Sequence, residues 1–142
     1  MSPLSPTHLA RALGVHVPTA EQAAVIAHPL APLLVVAGAG SGKTATMAQR
    51  VVYLVATGQV RPDQVLGLTF TRKATAELDE RVSSRLEALA RAGLVDPQVA
   101  DGAPTIATYN SFAGTLVRDH GLLIGVDPDT TLITQARSWQ IV

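Results

Sequence analysis

The segment AGAGSGKT, Ala37–Thr44, combines three closely spaced glycines with a lysine–threonine pair. It follows the apolar run Leu33–Ala37, which predicts a buried strand, and it opens a helix predicted over Lys43–Thr57. Gly38, Gly40 and Gly42 allow the backbone to curl closely around phosphate groups. The helix N-terminus adds unpaired N–H groups and a partial positive charge. The segment therefore predicts a strand, a phosphate-binding loop and a helix.

The residues of this loop have distinct expected roles. Lys43 is expected to reach the β- and γ-phosphates of a nucleotide, and the Thr44 hydroxyl is expected to ligate Mg²⁺. A glycine turn before an ordinary helix, with Lys43 solvated, is one alternative. A dinucleotide-binding turn, G-x-G-x-x-G, is another, but Lys43 stands where its last glycine belongs. The lysine–threonine pair favours a nucleoside triphosphate, contacted by Ala37, Gly38, Ala39, Gly40, Ser41, Gly42, Lys43 and Thr44.

Helices alternate with strands outward from the loop. Further helices are predicted over Thr7–Leu13, from Thr19 as N-cap to Ala27, and over Ala74–Ala92, Ser111–His120 and Gln135–Val142. Further strands are predicted over Val65–Thr69 and Thr105–Thr108. This alternation predicts an α/β domain in which helices cross over between parallel strands.

Composition excludes several classes of protein. The chain has 142 residues, 47% hydrophobic and 15% charged, which is typical of one globular domain with a core. It has no cysteine, which excludes disulfides, thiolate metal sites and a cysteine nucleophile, and fits a cytoplasmic protein. We expect no membrane span, because the longest apolar run is too short. The formal net charge is zero, so any binding to nucleic acid must depend on a local patch.

With alanine in its first position, AGAGSGKT resembles the Walker A loop of superfamily 1 DNA helicases of the UvrD/Rep/PcrA type. Three more segments are similar to motifs of that family in the same order: PTAEQAAVI (Pro18–Ile26) to the Q motif, LTFTRKATAEL (Leu68–Leu78) to motif Ia and ATYNSFAGTLVRDHG (Ala107–Gly121) to motif Ib. The resemblance implies a RecA-like P-loop domain, part of domain 1A, in an ATP-dependent helicase. It implies ATP and Mg²⁺ as cofactors, single-stranded DNA as partner and movement from 3′ to 5′.

The resemblance assigns Gln22 of the Q motif to adenine. A glutamine amide offers one donor and one acceptor, which match the N6 and N7 edge of adenine and not that of guanine. The spacing of Thr19 and Gln22 also fits a capping box at a helix start, in which Gln22 bonds the Thr19 backbone.

The resemblance assigns DNA contacts to motifs Ia and Ib. Phe70 and Tyr109 offer aromatic faces to bases, and threonines and cations nearby can bind phosphates. The alternatives are Phe70 in the core, Arg72 and Lys73 as a solvated pair, and Asn110 or Ser111 as a helix cap. Arg72 stands where many relatives have asparagine, and Asn110 where they usually have histidine. The expected DNA-binding residues are Thr69, Phe70, Thr71, Arg72, Lys73, Thr108, Tyr109 and Asn110.

The resemblance also predicts boundaries: an N-terminal extension over residues 1–17, the helicase ATP-binding domain over 18–133, and the start of a 1B insertion over 134–142. No apolar strand ends in Asp-Glu, the pair that holds Mg²⁺ and orients water, so we expect a fragment that is inactive alone. VVYLVATG and LGLTFTRKA are most similar to an actinobacterial AdnB-like, RecB-related subunit, which implies a helicase–nuclease partner subunit. Two alternatives are another P-loop enzyme, such as a small-molecule kinase, and a non-catalytic nucleotide- or DNA-binding module.

Overall fold

The computed structural model describes residues 4–95, 102–127 and 129–130. None of the helices in these ranges is long and apolar enough to cross a membrane. Two short 3-10 helices cover Pro62–Gln64 and Gly121–Ile124. The α-helices are α1 (Pro6–Ala12), α2 (Ala20–Ile26), α3 (Lys43–Ala56), α4 (Arg72–Arg91) and α5 (Tyr109–His120), and the strands are β1 (Leu66–Thr69) and β2 (Thr105–Thr108).

The two strands form a parallel pair with α4 as the connection between them. The register aligns Leu66 with Thr105 at the start and Thr69 with Thr108 at the end. Both strands therefore end at the same edge, and α4 and α5 both begin there. The predicted class is confirmed as a helix-rich α/β fold with a small parallel sheet.

The core lies between α3 and α4. Apolar side chains recur on one face of each helix, as the helical period requires, and become buried against one another. Complete burial of a large apolar side chain contributes about 1.5–3 kcal/mol. The segment before Pro18 also contributes, because Leu9 of α1 is buried in the same cluster. The core residues are Leu9, Ala48, Val52, Val55, Leu78, Val82, Leu86, Leu89 and Val95.

Helix boundaries agree with the predictions to within about two residues, but the cap of α5 differs. The Thr108 hydroxyl accepts from the Ser111 N–H at 3.1 Å, so Thr108 is the N-cap, and the expectation of Asn110 or Ser111 is wrong. Thr108 has extended backbone geometry at the end of β2, which lets its side chain turn back onto the helix. The helix predicted over Gln135–Val142 lies outside the described residues.

The strand predicted over Leu33–Ala37 is wrong. These residues form neither helix nor strand, and Leu34 and Val36 are each 87% exposed. A strand exists only by pairing its N–H and C=O groups with a neighbour. In the described ranges β1 and β2 pair with each other, and no strand lies beside residues 33–37. The apolar composition of a segment does not specify whether another strand will lie beside it and pair with it.

Candidate nucleotide and nucleic-acid sites

The phosphate loop turns on two glycines in the left-handed region. Gly40 has φ +77° and Gly42 has φ +80°, a conformation that side-chain-bearing residues rarely adopt. Gly42 is the N-cap of α3, and no side chain caps this helix. The N–H groups of its first turn therefore have no intrahelical partner and point into the loop. Such a helix start is suited to an anion.

Lys43 folds back over this loop. Its Nζ donates to the carbonyl oxygens of Ala37 at 2.8 Å and Gly38 at 2.6 Å. The ammonium carries three hydrogens, so one remains after these two bonds. A phosphate in the loop would compete for the ammonium with two backbone carbonyls. The alternative of a merely solvated lysine does not describe this geometry.

Thr44 is the second residue of α3 and is partly buried. Mg²⁺ in nucleotide sites usually takes one or two protein oxygens and completes its shell with phosphate oxygens and water. The described residues contain no cluster of three His, Asp or Glu that would hold a metal. Thr44 offers one hydroxyl oxygen, the kind of ligand that fits an ion whose other ligands come from a nucleotide and water.

Gln22 confirms the capping interpretation and adds a contact that the sequence did not indicate. Its N–H donates to the Thr19 hydroxyl at 3.3 Å, and its Oε1 accepts from the Thr19 N–H at 3.0 Å. Its Nε2 donates to the Ser41 carbonyl at 3.0 Å. The last bond joins α2 directly to the phosphate loop across 19 positions of sequence, and no local pattern signals such a pair.

The Gln22 amide keeps part of its hydrogen-bonding capacity after it has formed the capping bond and the bond to Ser41. Its oxygen has two lone pairs and its nitrogen two hydrogens, and each atom makes one bond in this structure. One acceptor and one donor therefore remain, the pair that the adenine edge requires. A concavity of about 600 Å³, in the usual range for small-molecule sites, is lined by both Gln22 and Lys43. Glu21 also lines it, and its own backbone N–H and then the Thr19 hydroxyl hold its pKa below the usual value.

The second site begins with two aromatic rings at the ends of the strands. Phe70 follows β1 and Tyr109 follows β2, so the parallel register brings them side by side. Their ring centroids are 5.0 Å apart with planes inclined by 30°. Phe70 is 88% exposed and Tyr109 is 50% exposed. The interpretation of Phe70 as a core residue is therefore wrong.

Three threonines flank these rings in the sequence, and two of them cap the adjacent helices. Thr71 caps α4 through the Ala74 N–H at 3.1 Å, as Thr108 caps α5. A hydroxyl that accepts a bond as a cap still has its hydrogen to donate. Thr69 differs, because its hydroxyl is already bonded to the Thr75 hydroxyl and the Thr71 carbonyl. Thr71 and Thr108 thus retain a donor for a phosphate oxygen.

Positive charge lies beside this site. Arg72 and Lys73 are exposed in the first turn of α4, where the helix dipole disfavours cations. Arg72 and Asn110 line one concavity of about 850 Å³, together with Phe70, whereas Lys73 lies outside that lining. Asp79 also lines it and contributes an opposing charge. The structure thus brings residues of both segments to one surface.

A glycine loop with its lysine and threonine at a helix start, in an α/β chain with parallel strands, is the arrangement typical of P-loop domains. The chain belongs to the family described as the UvrD/REP helicase N-terminal domain, which matches residues 18–142. This confirms the resemblance drawn from the four sequence segments.

Three relatives illustrate the relationship. ATP-dependent DNA helicase UvrD1 of Mycobacterium leprae is 39% identical over 105 residues, covering 74% of this chain and 12% of that protein. DNA helicase II of Haemophilus influenzae is 35% identical over 108 residues, covering 76% of this chain and 14% of that protein. ATP-dependent DNA helicase PcrA of Staphylococcus aureus is 36% identical over 115 residues, covering 80% of this chain and 14% of that protein. The chain thus spans between 12% and 14% of the length of these relatives.

Proposed function

We propose that this chain is the ATP- and single-stranded-DNA-binding part of an ATP-dependent DNA helicase. The observation that carries the proposal is the exposed stacked pair of Phe70 and Tyr109 in a chain that also has a phosphate loop. Two adjacent aromatic rings in solvent lose the stabilisation of burial. Single-stranded nucleic acid would recover it by stacking its bases on the rings.

At the nucleotide site, Lys43 would leave the Ala37 and Gly38 carbonyls and bind the β- and γ-phosphates. The unpaired N–H groups of α3 would bind the same phosphates, and Thr44 would hold Mg²⁺. When bound, Mg²⁺ neutralises charge on the β- and γ-phosphate oxygens. Gln22 would use its remaining donor and acceptor on adenine. Three relatives of this chain are named as helicases, two of them as ATP-dependent.

At the DNA site, bases would stack on the aromatic pair while phosphates bind the hydroxyls of Thr71 and Thr108. Arg72 and Lys73 would add the charge that a protein of zero net charge must concentrate locally. In the full-length protein, hydrolysis would move the strand past this surface. The 3′ to 5′ direction rests on the resemblance, and unwinding of duplexes with a 3′ or a 5′ single-stranded tail tests it.

The two lysines of the chain, Lys43 and Lys73, provide a matched test. In the full-length protein, Lys43→Ala should abolish ATP hydrolysis stimulated by single-stranded DNA and leave DNA affinity nearly unchanged. Lys73→Ala should leave ATP affinity in the absence of DNA unchanged. If Lys73 binds one phosphate, its removal should reduce the slope of log affinity against log salt by about 0.7 for a single strand. Phosphate release and fluorescence anisotropy at several salt concentrations measure the two effects.

The outcomes separate this proposal from its competitors. Near-normal hydrolysis in Lys43→Ala would exclude the phosphate-loop assignment. Nucleotide release that is identical with and without DNA, in a protein that hydrolyses ATP, would favour a small-molecule kinase. Binding of both ligands without hydrolysis by the full-length wild type would favour a non-catalytic module. Co-purification with a nuclease subunit would test the helicase–nuclease partner implied by the AdnB-like segments.

A further inference from the structure

One arginine of α3 holds the C-terminal end of α2. Arg50 Nη1 lies 2.8 Å from the Val25 carbonyl oxygen, 3.1 Å from that of Ile26 and 2.7 Å from that of His28. Its Nη2 donates to the Pro29 carbonyl oxygen at 3.2 Å. The guanidinium is thus directed at four backbone oxygens at the end of one short helix.

The short helix needs this support. Helix α2 has seven residues and no basic residue in its last turn. A helix of that length is not stable in isolation, and its last carbonyls have no intrahelical partner. Arg50 supplies both hydrogen-bond donors and the positive charge that favours a helix C-terminus. The side chain is only partly exposed, which keeps solvent from replacing it freely.

The same helix is joined to the phosphate loop at its other end. Gln22, in the first turn of α2, donates to the Ser41 carbonyl. Arg50 follows Lys43 by seven residues, which is about two turns, so both lie on nearly the same face of α3. The position of Gln22 relative to Lys43 is therefore determined by two attachments, one at each end of α2.

We propose that Arg50 is a positioning residue that sets the base selectivity of the nucleotide site. It holds α2 so that the free donor and acceptor of Gln22 stay at the distance from the phosphate loop that a purine nucleoside triphosphate spans. Arg50 does not line the concavity that contains Gln22 and Lys43, so its effect on the base is exerted through α2. The inference rests on the proposed role of Gln22 in reading adenine.

The test compares ATP and GTP binding by the full-length protein with Mg²⁺ and without DNA. The variants are Arg50→Ala, Arg50→Lys, Gln22→Ala and the double variant Gln22→Ala with Arg50→Ala. Arg81→Ala, at an exposed position of α4, is the control for loss of an arginine elsewhere in the chain. Gln22→Ala should lower the ATP-over-GTP ratio by about 5-fold or more, the equivalent of losing one base contact. Arg50→Ala should lower it to a similar extent, and GTP affinity should change little in either variant.

Three further results are expected. The double variant should not fall below Gln22→Ala, because both changes remove the same interaction. Arg50→Lys should lie between wild type and Arg50→Ala, since one ammonium cannot reproduce the guanidinium fork. Arg81→Ala should equal wild type. If Arg50→Ala does not fold, as judged by far-ultraviolet circular dichroism, Arg50→Lys decides, and wild-type selectivity in that folded variant overturns the inference.

Failure of the positioning role and failure of adenine recognition give different results. Selectivity lost in Gln22→Ala but retained in folded Arg50→Ala overturns the positioning role and leaves adenine recognition intact. Selectivity retained in Gln22→Ala overturns adenine recognition and the role of Arg50 together. In that case the hydrolysis assay on Lys43→Ala still tests the phosphate loop and the proposed helicase independently.

Discussion

Removing the rings of Phe70 and Tyr109 one at a time and together tests the DNA surface most directly. Base–aromatic stacking contributes about 1–3 kcal/mol per base. Phe70→Ala or Tyr109→Ala should therefore weaken single-strand binding by about 5- to 150-fold. Affinity for ATP measured without DNA should not change, because neither ring lines the concavity beside the phosphate loop.

The contact between the rings predicts how the two effects combine. With centroids 5.0 Å apart and planes inclined by 30°, each ring supports the other. A pair of this geometry contributes about 0.5–1.5 kcal/mol beyond buried area. Removing one ring leaves the other less well oriented for stacking on a base. Each single variant therefore already loses part of the DNA affinity that the remaining ring contributes. The double variant should therefore lose less binding free energy than the sum of the single variants.

Fluorescence anisotropy with a labelled oligonucleotide measures these affinities in the full-length protein. Tyr109→Phe and Phe70→Tyr are the controls, because each keeps an aromatic face and should bind within about 0.5 kcal/mol of wild type. Strict additivity would show that the rings act separately. Equal weakening of ATP and DNA binding would refute the reasoning, since it would mean that the rings support the fold and not the strand.

Two further predictions concern the backbone of each site. Gly42→Ala and Gly40→Ala should each destabilise the protein by about 1–2 kcal/mol in chemical denaturation, because both positions have positive φ. Only Gly42→Ala should also lower ATP-over-GTP selectivity, because an added Cβ there would lie 3.2 Å from Gln22 Nε2. An added Cβ at Gly40 would face open space. Equal selectivity in the two variants would contradict the contact between Gly42 and Gln22. Thr71→Ala should cost about 1 kcal/mol of stability as a lost cap and weaken DNA binding, and Thr71→Ser should restore both; a stable Thr71→Ala with unchanged DNA affinity would exclude both roles.

Sequence reasoning succeeded where the information is local. Thr19 and Gln22 lie three residues apart, the spacing at which both bonds of a capping box form, and both are present. The strand over Thr105–Thr108 has the predicted bounds. The crossover between parallel strands followed from alternation alone. In each case the interaction that decides the structure lies within a few residues or follows from a general rule of connection.

It failed where the partner is distant. Residues 33–37 have the composition of a buried strand, yet burial and pairing depend on neighbours that no local pattern specifies. The bond between Gln22 and Ser41 spans 19 positions of sequence and the four bonds of Arg50 span 21 to 25, so neither has a local signature. Phe70 could not be assigned to core or surface from its apolar character, because its exposure depends on what packs around the end of β1.

The helix starts of this chain are of two kinds: some follow the local rules for helix stability, and others depart from them. Helix α1 has Ser5 as a cap, and α2 has Thr19 with Glu21 in its first turn, as stability favours. Helix α3 instead begins at a glycine without a side-chain cap, and α4 begins with two cations at its positive end. Such conflicts with local rules are expected where a ligand completes the structure. An anion would relieve both of them, because a phosphate would bind the free N–H groups of α3 and would neutralise the cations of α4. Nucleotide and DNA would therefore each stabilise the helix end that they bind.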